Sequence, residues 1–244
     1  MTIEATYKKN MKVADLIAAD NTLLSILHRL DIRLGFGEAT IQEMCTRYDI
    51  STELFLEICN IYSFRHYKPQ IEALGRKDIR NITAYLRASH KFYSEVCFPA
   101  IHESIHKFVK ELDDISRRLI DKFYDDYDTE VTNHFRYEET IVFPYIEALQ
   151  DGKREGYDEK YNIGKFEENH SNISEKLNDL KNIIIKYIPE EYSSALRFEI
   201  LNDIYAVEAD LRKHSLIENK LLIPLVEIME KSNEEHSKTQ DTPH

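Results

Sequence analysis

The feature that most constrains this chain is a motif of metal-ligand side chains that occurs twice at a constant offset. A histidine, a glutamate four residues later and a proline six residues after the glutamate are found in HFRYEETIVFP, which starts at His134, and in HSLIENKLLIP, which starts at His214. Each copy follows a single histidine by 44 residues (134 − 90 and 214 − 170), and the two copies lie 80 residues apart (214 − 134). The duplicated pairs are His90 and His170, His134 and His214, Glu138 and Glu218, and Pro144 and Pro224.

Both copies lie on predicted helical faces. Apolar side chains recur around them at steps of three and four residues, the spacing of one face of an α-helix. Since the histidines and glutamates occupy positions within these faces, we expect all six to point into the protein core. The four faces are Ile79, Thr83, Leu86, His90, Tyr93 and Cys97; Tyr124, Tyr127, Val131, His134, Glu138, Ile141 and Tyr145; Ile163, Phe166, His170, Ile173, Leu177, Leu180 and Ile184; and Ile204, Val207, Leu211, His214, Glu218, Leu221 and Leu225.

Buried imidazole and carboxylate groups need partners. A carboxylate moved into the core without compensation is strongly unfavourable, and the four faces contain no lysine or arginine to pair with it. A metal ion would supply the positive charge, and a set of histidine nitrogens and carboxylate oxygens suits iron, with manganese or zinc as substitutes. The predicted metal ligands are His90, His134, Glu138, His170, His214 and Glu218.

The number of donors indicates two metal ions per chain. If two histidines bind each ion and each glutamate bridges both, every ion receives two nitrogens and two oxygens from the protein. An octahedral ion would then accept a shared oxo or hydroxo bridge and one exchangeable ligand. We therefore expect an oxo- or hydroxo-bridged pair of iron ions that is open to dioxygen, peroxide or nitric oxide.

A second metal-binding arrangement can be drawn from the same sequence. Glu103-x2-His106 and Glu167-x2-His170 match the Glu-x2-His pairs of ferritin-like di-iron sites. These pairs do not follow the 80-residue repeat, and they would leave the duplicated His-x3-Glu motifs buried without partners. We therefore favour the duplicated set, and we expect His102 and His106 to form an exposed pair.

Three tyrosines, Tyr93, Tyr127 and Tyr145, lie on the same faces as the predicted ligands. Core packing is the favoured role for them. The alternatives are hydrogen bonds that orient the ligands, or control of access to the site.

The two His-x3-Glu-x5-Pro segments, together with His90 and His170, resemble the hemerythrin-like di-iron proteins over roughly residues 78 to 231. Within that group, four histidines and two glutamates are similar to the set in the repair-of-iron-centres proteins, which support iron-sulfur cluster repair. Oxygen-carrying hemerythrins instead add a fifth histidine and use an aspartate. The resemblance implies an all-α fold, with an antiparallel four-helix bundle preceded by a small helical domain.

The amino-terminal segment resembles that small domain more weakly. The similarity covers residues 12–62 and includes KVADLIAAD from Lys12, HRLD from His28 and TIQEMCT from Thr40. The family domain usually carries a Cys-Cys-Gly-Gly run shortly after its aspartate. This chain reads DIRLGFGE from Asp31, so the cysteine pair is absent.

The sequence predicts that the chain has four parts, and that the third part is a bundle of four long helices. Asp78 is expected to cap the first long helix, and Pro99 to kink or break it. The second helix is expected from about 115 to the 140s, the third from about 158 to 187, and the fourth from Pro189 to near Glu230. The predicted parts are a small helical domain at 1–67, a linker at 68–77, the di-iron bundle at 78–231 and a disordered polar tail at 232–244.

The composition of the chain indicates its cellular compartment and argues against some classes of binding partner. A formal net charge of −12 argues against a nucleic-acid-binding surface, which needs clustered lysine and arginine. The three cysteines are too few for a disulfide framework, and neither a signal peptide nor an 18-residue apolar run is present. We expect a cytoplasmic protein with no membrane or nucleic-acid partner, and the sequence leaves its oligomeric state open.

Three functional hypotheses follow. The first, implied by the resemblance, is a protein of the oxidative and nitrosative stress response that supports repair of iron-sulfur clusters, with iron-sulfur proteins as iron recipients. The second is a nitric oxide or peroxide reductase. The third is a redox or gas sensor, in which the di-iron centre controls how the amino-terminal domain binds a partner.

Overall fold

The computed structural model describes residues 6–152, 161–169, 173–192 and 194–240, and most of these residues are helical. No strand occurs in these ranges, and one isolated β-bridge joins Lys12 to Thr40. The fold is therefore all-α. The α-helices are α1 Val13–Ala19, α2 Leu24–Arg29, α3 Ile41–Arg47, α4 Thr52–Ser63, α5 Arg76–Phe92, α6 Phe98–Val109, α7 Asp114–Tyr137, α8 Phe143–Gln150, α9 Ile163–Asn169, α10 Ile173–Lys186, α11 Ser194–Ile217 and α12 Ile223–Gln240.

The chain divides into two compact units, each assembled from more than one stretch of the sequence. Unit 1 comprises Met1–Ala88, Phe143–Glu168 and Leu216–His244, and unit 2 comprises Ser89–Val142 and Asn169–Ser215. The amino-terminal helices thus share a unit with parts of the predicted bundle. The predicted boundaries at 67, 77 and 231 remain predictions.

Unit 2 is built on one apolar core that four helices share. Helix α7 packs against α6 and α10, and α11 contributes Ile200, Ile204 and Leu211 to the same core. Helices α6 and α7 are joined by a short turn, which makes them antiparallel neighbours. The turn ends at Asp113, whose carboxylate accepts hydrogen bonds from the backbone N–H groups of Ile115 and Ser116 and so caps α7.

Unit 1 contains the amino-terminal helices α1 to α4, and side-chain caps fix the starts of α3 and α4. Thr40 and Glu43 form a reciprocal capping box at the start of α3, and Ser51 caps α4. A buried polar cluster then joins these helices to α5. Arg29 donates to the hydroxyls of Tyr62 and Tyr85, which themselves lie 2.7 Å apart.

The duplication seen in the sequence is reproduced in the secondary structure. Helix α7 covers 114–137 and α11 covers 194–217, so their ends differ by 80 residues (194 − 114 and 217 − 137). Each is followed by a five-residue π-helical segment, Glu138–Val142 in the first copy and Glu218–Leu222 in the second. The same offset therefore relates residue types, helix ends and a rare local distortion.

Three π-helical segments occur in the described residues, and each is followed by a proline two residues after its end. The segment Tyr93–Cys97 precedes Pro99, Glu138–Val142 precedes Pro144, and Glu218–Leu222 precedes Pro224. Within a helix, a proline lacks the N–H of one hydrogen bond and clashes with the carbonyl four residues earlier. A wider π turn relieves this conflict without ending the helix.

The π segments correct one detail of the predicted faces. Ile141 was predicted to lie on the core face, but its side chain is 40% exposed, whereas Val142 is fully buried. The π turn inserts one extra residue after Glu138, so the apolar position moves from 141 to 142. The correction applies to Ile141 alone, because the other predicted positions beyond the two glutamates, Tyr145, Leu221 and Leu225, are buried.

Other boundaries differ modestly from the predictions. Helix α5 begins at Arg76, and Asp78 accepts a hydrogen bond from the N–H of Gly75 from inside the first turn. The predicted third helix is described as two pieces, α9 and α10, with 170–172 outside the described residues. Helix α12 continues to Gln240, into the polar segment for which composition predicts disorder. That segment has no glycine, and its one proline is Pro243, so nothing in its sequence forces the helix to stop earlier.

Among the described residues, no helix combines the length and the apolar character that a membrane crossing requires.

Candidate metal centre

Four of the six predicted ligands converge in one buried cluster. Each offers a ligand atom, and these atoms all lie within 4.8 Å of one another. The exposed fraction is 0% for both glutamates, 1% for His214 and 4% for His90. The cluster consists of His90, Glu138, His214 and Glu218.

Glu138 lies between histidines of two helices. One carboxylate oxygen, Oε1, is 2.8 Å from Nε2 of His134, one turn earlier on α7. The other, Oε2, is 2.9 Å from Nε2 of His90 on α5. Each oxygen of the Glu138 carboxylate therefore faces the imidazole of a different helix.

The imidazole of His90 is held on every side. Its Nε2 faces the cluster, 3.3 Å from Nε2 of His214 and 2.9 Å from Glu138. Its Nδ1 lies 2.9 Å from Oε1 of Glu139. The ring stacks on Phe135, with 4.2 Å between ring centroids and 18° between the planes. Both the plane and the direction of this side chain are therefore fixed.

Of the remaining two predicted ligands, the structure describes one, His134, and not the other, His170. His134 is outside the four-residue cluster but contacts it through Glu138, and its side chain is 8% exposed. His170 lies outside the described residues, so its assignment as a ligand stays a prediction.

The cluster residues lie where the helices change from α to π geometry. Glu138 and Glu218 are the first residues of their π segments, and Tyr93, three residues after His90, begins the third. Isolated π turns inside α-helices are frequent at functional sites. Each duplicated proline thus distorts its helix immediately after the buried glutamate.

The three tyrosines on the ligand faces are all buried, and two of them make hydrogen bonds. The Tyr93 ring lies edge-on to His214, and its hydroxyl donates to Asp210 at 2.8 Å, so Tyr93 both packs and bonds. Tyr145 donates to Glu230. Burial raises the pKa of Tyr127, whose hydroxyl finds no hydrogen-bond partner among the described residues. For Tyr127, core packing is the role that the structure supports.

The ferritin-like alternative is not supported. The side chain of Glu103 is 70% exposed and pairs with Lys107 at 2.8 Å, and His106 is exposed as well. His102 and His106 stack on each other at the surface, as expected for an exposed pair. Neither Glu103 nor His106 belongs to the buried cluster.

Sequence reasoning missed Phe135 and Glu139, which contact His90, and Asp210, which accepts a hydrogen bond from Tyr93. Phe135 and Glu139 each follow a predicted ligand directly, and a strict helical face excludes such neighbours. A signal for Glu139 was nevertheless present, because the first copy reads Glu138-Glu139 where the second reads Glu218-Asn219. The two copies therefore differ beside the buried glutamate.

The donor set fits a transition-metal site. Imidazole nitrogens and carboxylate oxygens together suit iron, and the ligand atoms are close enough for single ions to bridge neighbouring side chains. Burial of two carboxylates gives a further reason for a cation, since a metal would compensate their charge in the core.

Comparisons with known proteins support this interpretation at the level of the family. No curated protein and no solved structure matched the chain. A comparison with protein-family models matched residues 81–226, which is 146 of the 244 residues (226 − 81 + 1), to the hemerythrin HHE cation-binding domain. The matched region contains both duplicated motifs and the buried His/Glu cluster, and the chain therefore belongs to the hemerythrin family.

Proposed function

We propose that this chain is a non-haem di-iron protein of the oxidative and nitrosative stress response, which supports repair of damaged iron-sulfur clusters. The observation that carries the proposal is the buried cluster of His90, Glu138, His214 and Glu218, within a domain of a cation-binding family. Each iron would be held by two of the four histidines, and Glu138 and Glu218 would bridge the pair. His134 and His170 complete the set.

The structure supports the bridging role through Glu138. Its two oxygens face His90 and His134 separately, so each oxygen is directed toward a different side of the centre. A bound pair of irons would supply redox chemistry and an open position for dioxygen, peroxide or nitric oxide. The protein's own contribution is to hold these ligands rigidly in the core, away from bulk water.

The repair role rests on the ligand set. Four histidines and two glutamates resemble the set of the repair-of-iron-centres proteins, whereas oxygen carriers use a different one. In this role the chain releases or delivers iron to iron-sulfur proteins whose clusters have been damaged. Manganese or zinc could occupy the same donors, and elemental analysis distinguishes these metals from iron.

The first prediction concerns the bridging glutamates. Replacing Glu138 or Glu218 with leucine keeps the buried volume apolar but removes a bridging carboxylate, so metal content falls from about two ions per chain to about one or fewer. Elemental analysis of protein purified anaerobically and loaded with ferrous iron measures this. The matched control is Glu103→Leu, which removes an exposed carboxylate outside the cluster and leaves metal content unchanged. Equal metal content in all three variants would contradict the assignment.

The second prediction concerns iron delivery. Iron-loaded protein is mixed anaerobically with an apo-ferredoxin, sulfide and a thiol reductant, before and after exposure to nitric oxide. We expect cluster absorbance to develop in the ferredoxin as the chain loses an equivalent amount of iron, and exposure to the gas to accelerate the transfer. Glu138→Leu protein, carrying less iron, should support less cluster formation. Iron that stays bound while nitric oxide or peroxide is consumed with an electron donor would instead support a reductase.

One contact favours sensing as a second candidate function. Lys220 lies in the π segment that begins at Glu218, and its Nζ donates to the backbone carbonyl of Tyr67 at 2.9 Å. The hydroxyl of Tyr67 in turn bonds the side chain of Glu57 on α4. All of these residues belong to unit 1. A change at Glu218 could thus be transmitted to an amino-terminal helix through hydrogen-bonded neighbours.

The third prediction tests this path with hydrogen exchange. In iron-loaded wild-type protein, oxidation should change amide protection in α4, and Lys220→Met should abolish that change because the donor to Tyr67 is lost. Lys231→Met, on α12 beyond the π segment, is the control and should behave as the wild type. If α4 responds to oxidation equally with and without the Lys220 ammonium, sensing through this contact is wrong.

A further inference from the structure

The two copies of the motif are not equivalent at the residue that follows the buried glutamate. In the first copy Glu139 places Oε1 2.9 Å from Nδ1 of His90. The corresponding position of the second copy, 80 residues later, is Asn219, which is exposed. A charged acceptor therefore faces a cluster histidine in one copy, and a neutral amide occupies the same position in the other.

The contact between Glu139 and His90 differs from an ordinary surface ion pair. The side chain of His90 is 5% exposed and that of Glu139 is 34% exposed, so the carboxylate reaches inward from the surface to a buried ring. An exposed ion pair contributes little to stability because water and salt screen its charges. Screening is weaker at the His90 ring, because this ring is buried. The contact is also on the opposite edge of the ring from Nε2, which faces Glu138 and His214.

We propose that Glu139 is a positioning residue that fixes His90 with Nε2 toward the metal, and that it thereby makes the two metal positions unequal in affinity. The inference rests on the proposed di-iron function. An ionised carboxylate can only accept, so Glu139 holds a hydrogen on Nδ1, and the lone pair of Nε2 would then serve a metal bound in the cluster. The negative charge behind the ring also makes Nε2 a stronger donor to a metal.

Phe135 and Glu139 restrict the same ring in different ways. The stacking contact with Phe135 fixes the plane of the imidazole but not which nitrogen carries the hydrogen. Carboxylate oxygens lie 2.9 Å from both nitrogens, Glu139 at Nδ1 and Glu138 at Nε2, so the difference comes from a metal bound in the cluster, which would take the Nε2 side and leave the hydrogen on Nδ1. Glu139 is not itself part of the buried ligand cluster, so its effect on the metal is exerted through His90.

The fourth prediction follows from this difference. In Glu139→Gln the side chain keeps its length and an acceptor oxygen but loses the charge, and one of the two metal-binding steps should weaken by about 10–100-fold, the usual effect of removing such an outer partner. The other step should stay within about twofold of the wild type, because His90 is a ligand of one ion only. The measurement is an anaerobic titration of the full chain with ferrous iron against a competing chelator.

The controls separate positioning from folding. Asn219→Ala alters the equivalent position of the second copy and should leave both binding steps unchanged. Thermal unfolding of the metal-free variants checks the fold, which should survive because Glu139 is one-third exposed. In zinc-loaded protein with ¹⁵N-labelled histidine, NMR should show His90 protonated on Nδ1 in the wild type. Glu139→Ala, which removes the acceptor entirely, should weaken the affected step at least as much as Glu139→Gln.

Each outcome has a definite meaning. Glu139→Gln protein that binds both metals as tightly as the wild type overturns the inference, and so does a wild-type His90 protonated on Nε2. An equal loss in Asn219→Ala would overturn the inequality between the two positions. Wild-type protein that binds fewer than two metals would instead overturn the di-iron function itself, so the two failures are distinguishable.

Discussion

The carboxylate of Glu138 is fully buried, and its two oxygens lie 2.8 Å from His134 and 2.9 Å from His90. This arrangement places an acidic group in the core between two helices, where it is tolerated only if its charge is compensated. The other buried groups of the cluster, His214 and Glu218, gather at the same point. A bound cation would compensate the buried charge of this cluster, and membership of a cation-binding family agrees with that explanation.

Proline links the sequence motif to the geometry of the site. Each of the two prolines lies six residues after its glutamate, and in each copy the intervening turn adopts π geometry that begins at the glutamate. The π turn has weaker hydrogen bonds than a regular α turn. It arises because proline lacks a backbone N–H and its ring clashes with the carbonyl four residues earlier. The position of the proline in the motif thus determines where the helix changes from α to π geometry, which is at the glutamate of the His/Glu pair. Because the motif has the same spacing in both copies, the ligand pair and the π turn recur at the same offset.

Much of the fold and of the site could be predicted from the sequence because both depend on periodicity. The faces that contain His90, Glu138 and His214 follow helical spacing, and these side chains are buried as expected. The exposure of Ile141 could not be predicted by the same rule, because a π turn changes the period after Glu138. The contact of Glu139 with His90 was missed for a different reason. It joins residues 49 positions apart, and such pairings depend on how helices pack rather than on the pattern of either helix.

We propose that the buried cluster holds two metal ions bridged by Glu138. Anomalous diffraction from crystals of the iron-loaded protein, collected on both sides of the iron absorption edge, distinguishes this arrangement from a single ion. We expect two iron peaks about 3.5–4 Å apart, the usual spacing of two-metal sites, with one oxygen of Glu138 bound to each. One peak, or iron bound elsewhere while Glu138 keeps only its contacts with His90 and His134, would show that Glu138 does not bridge two ions.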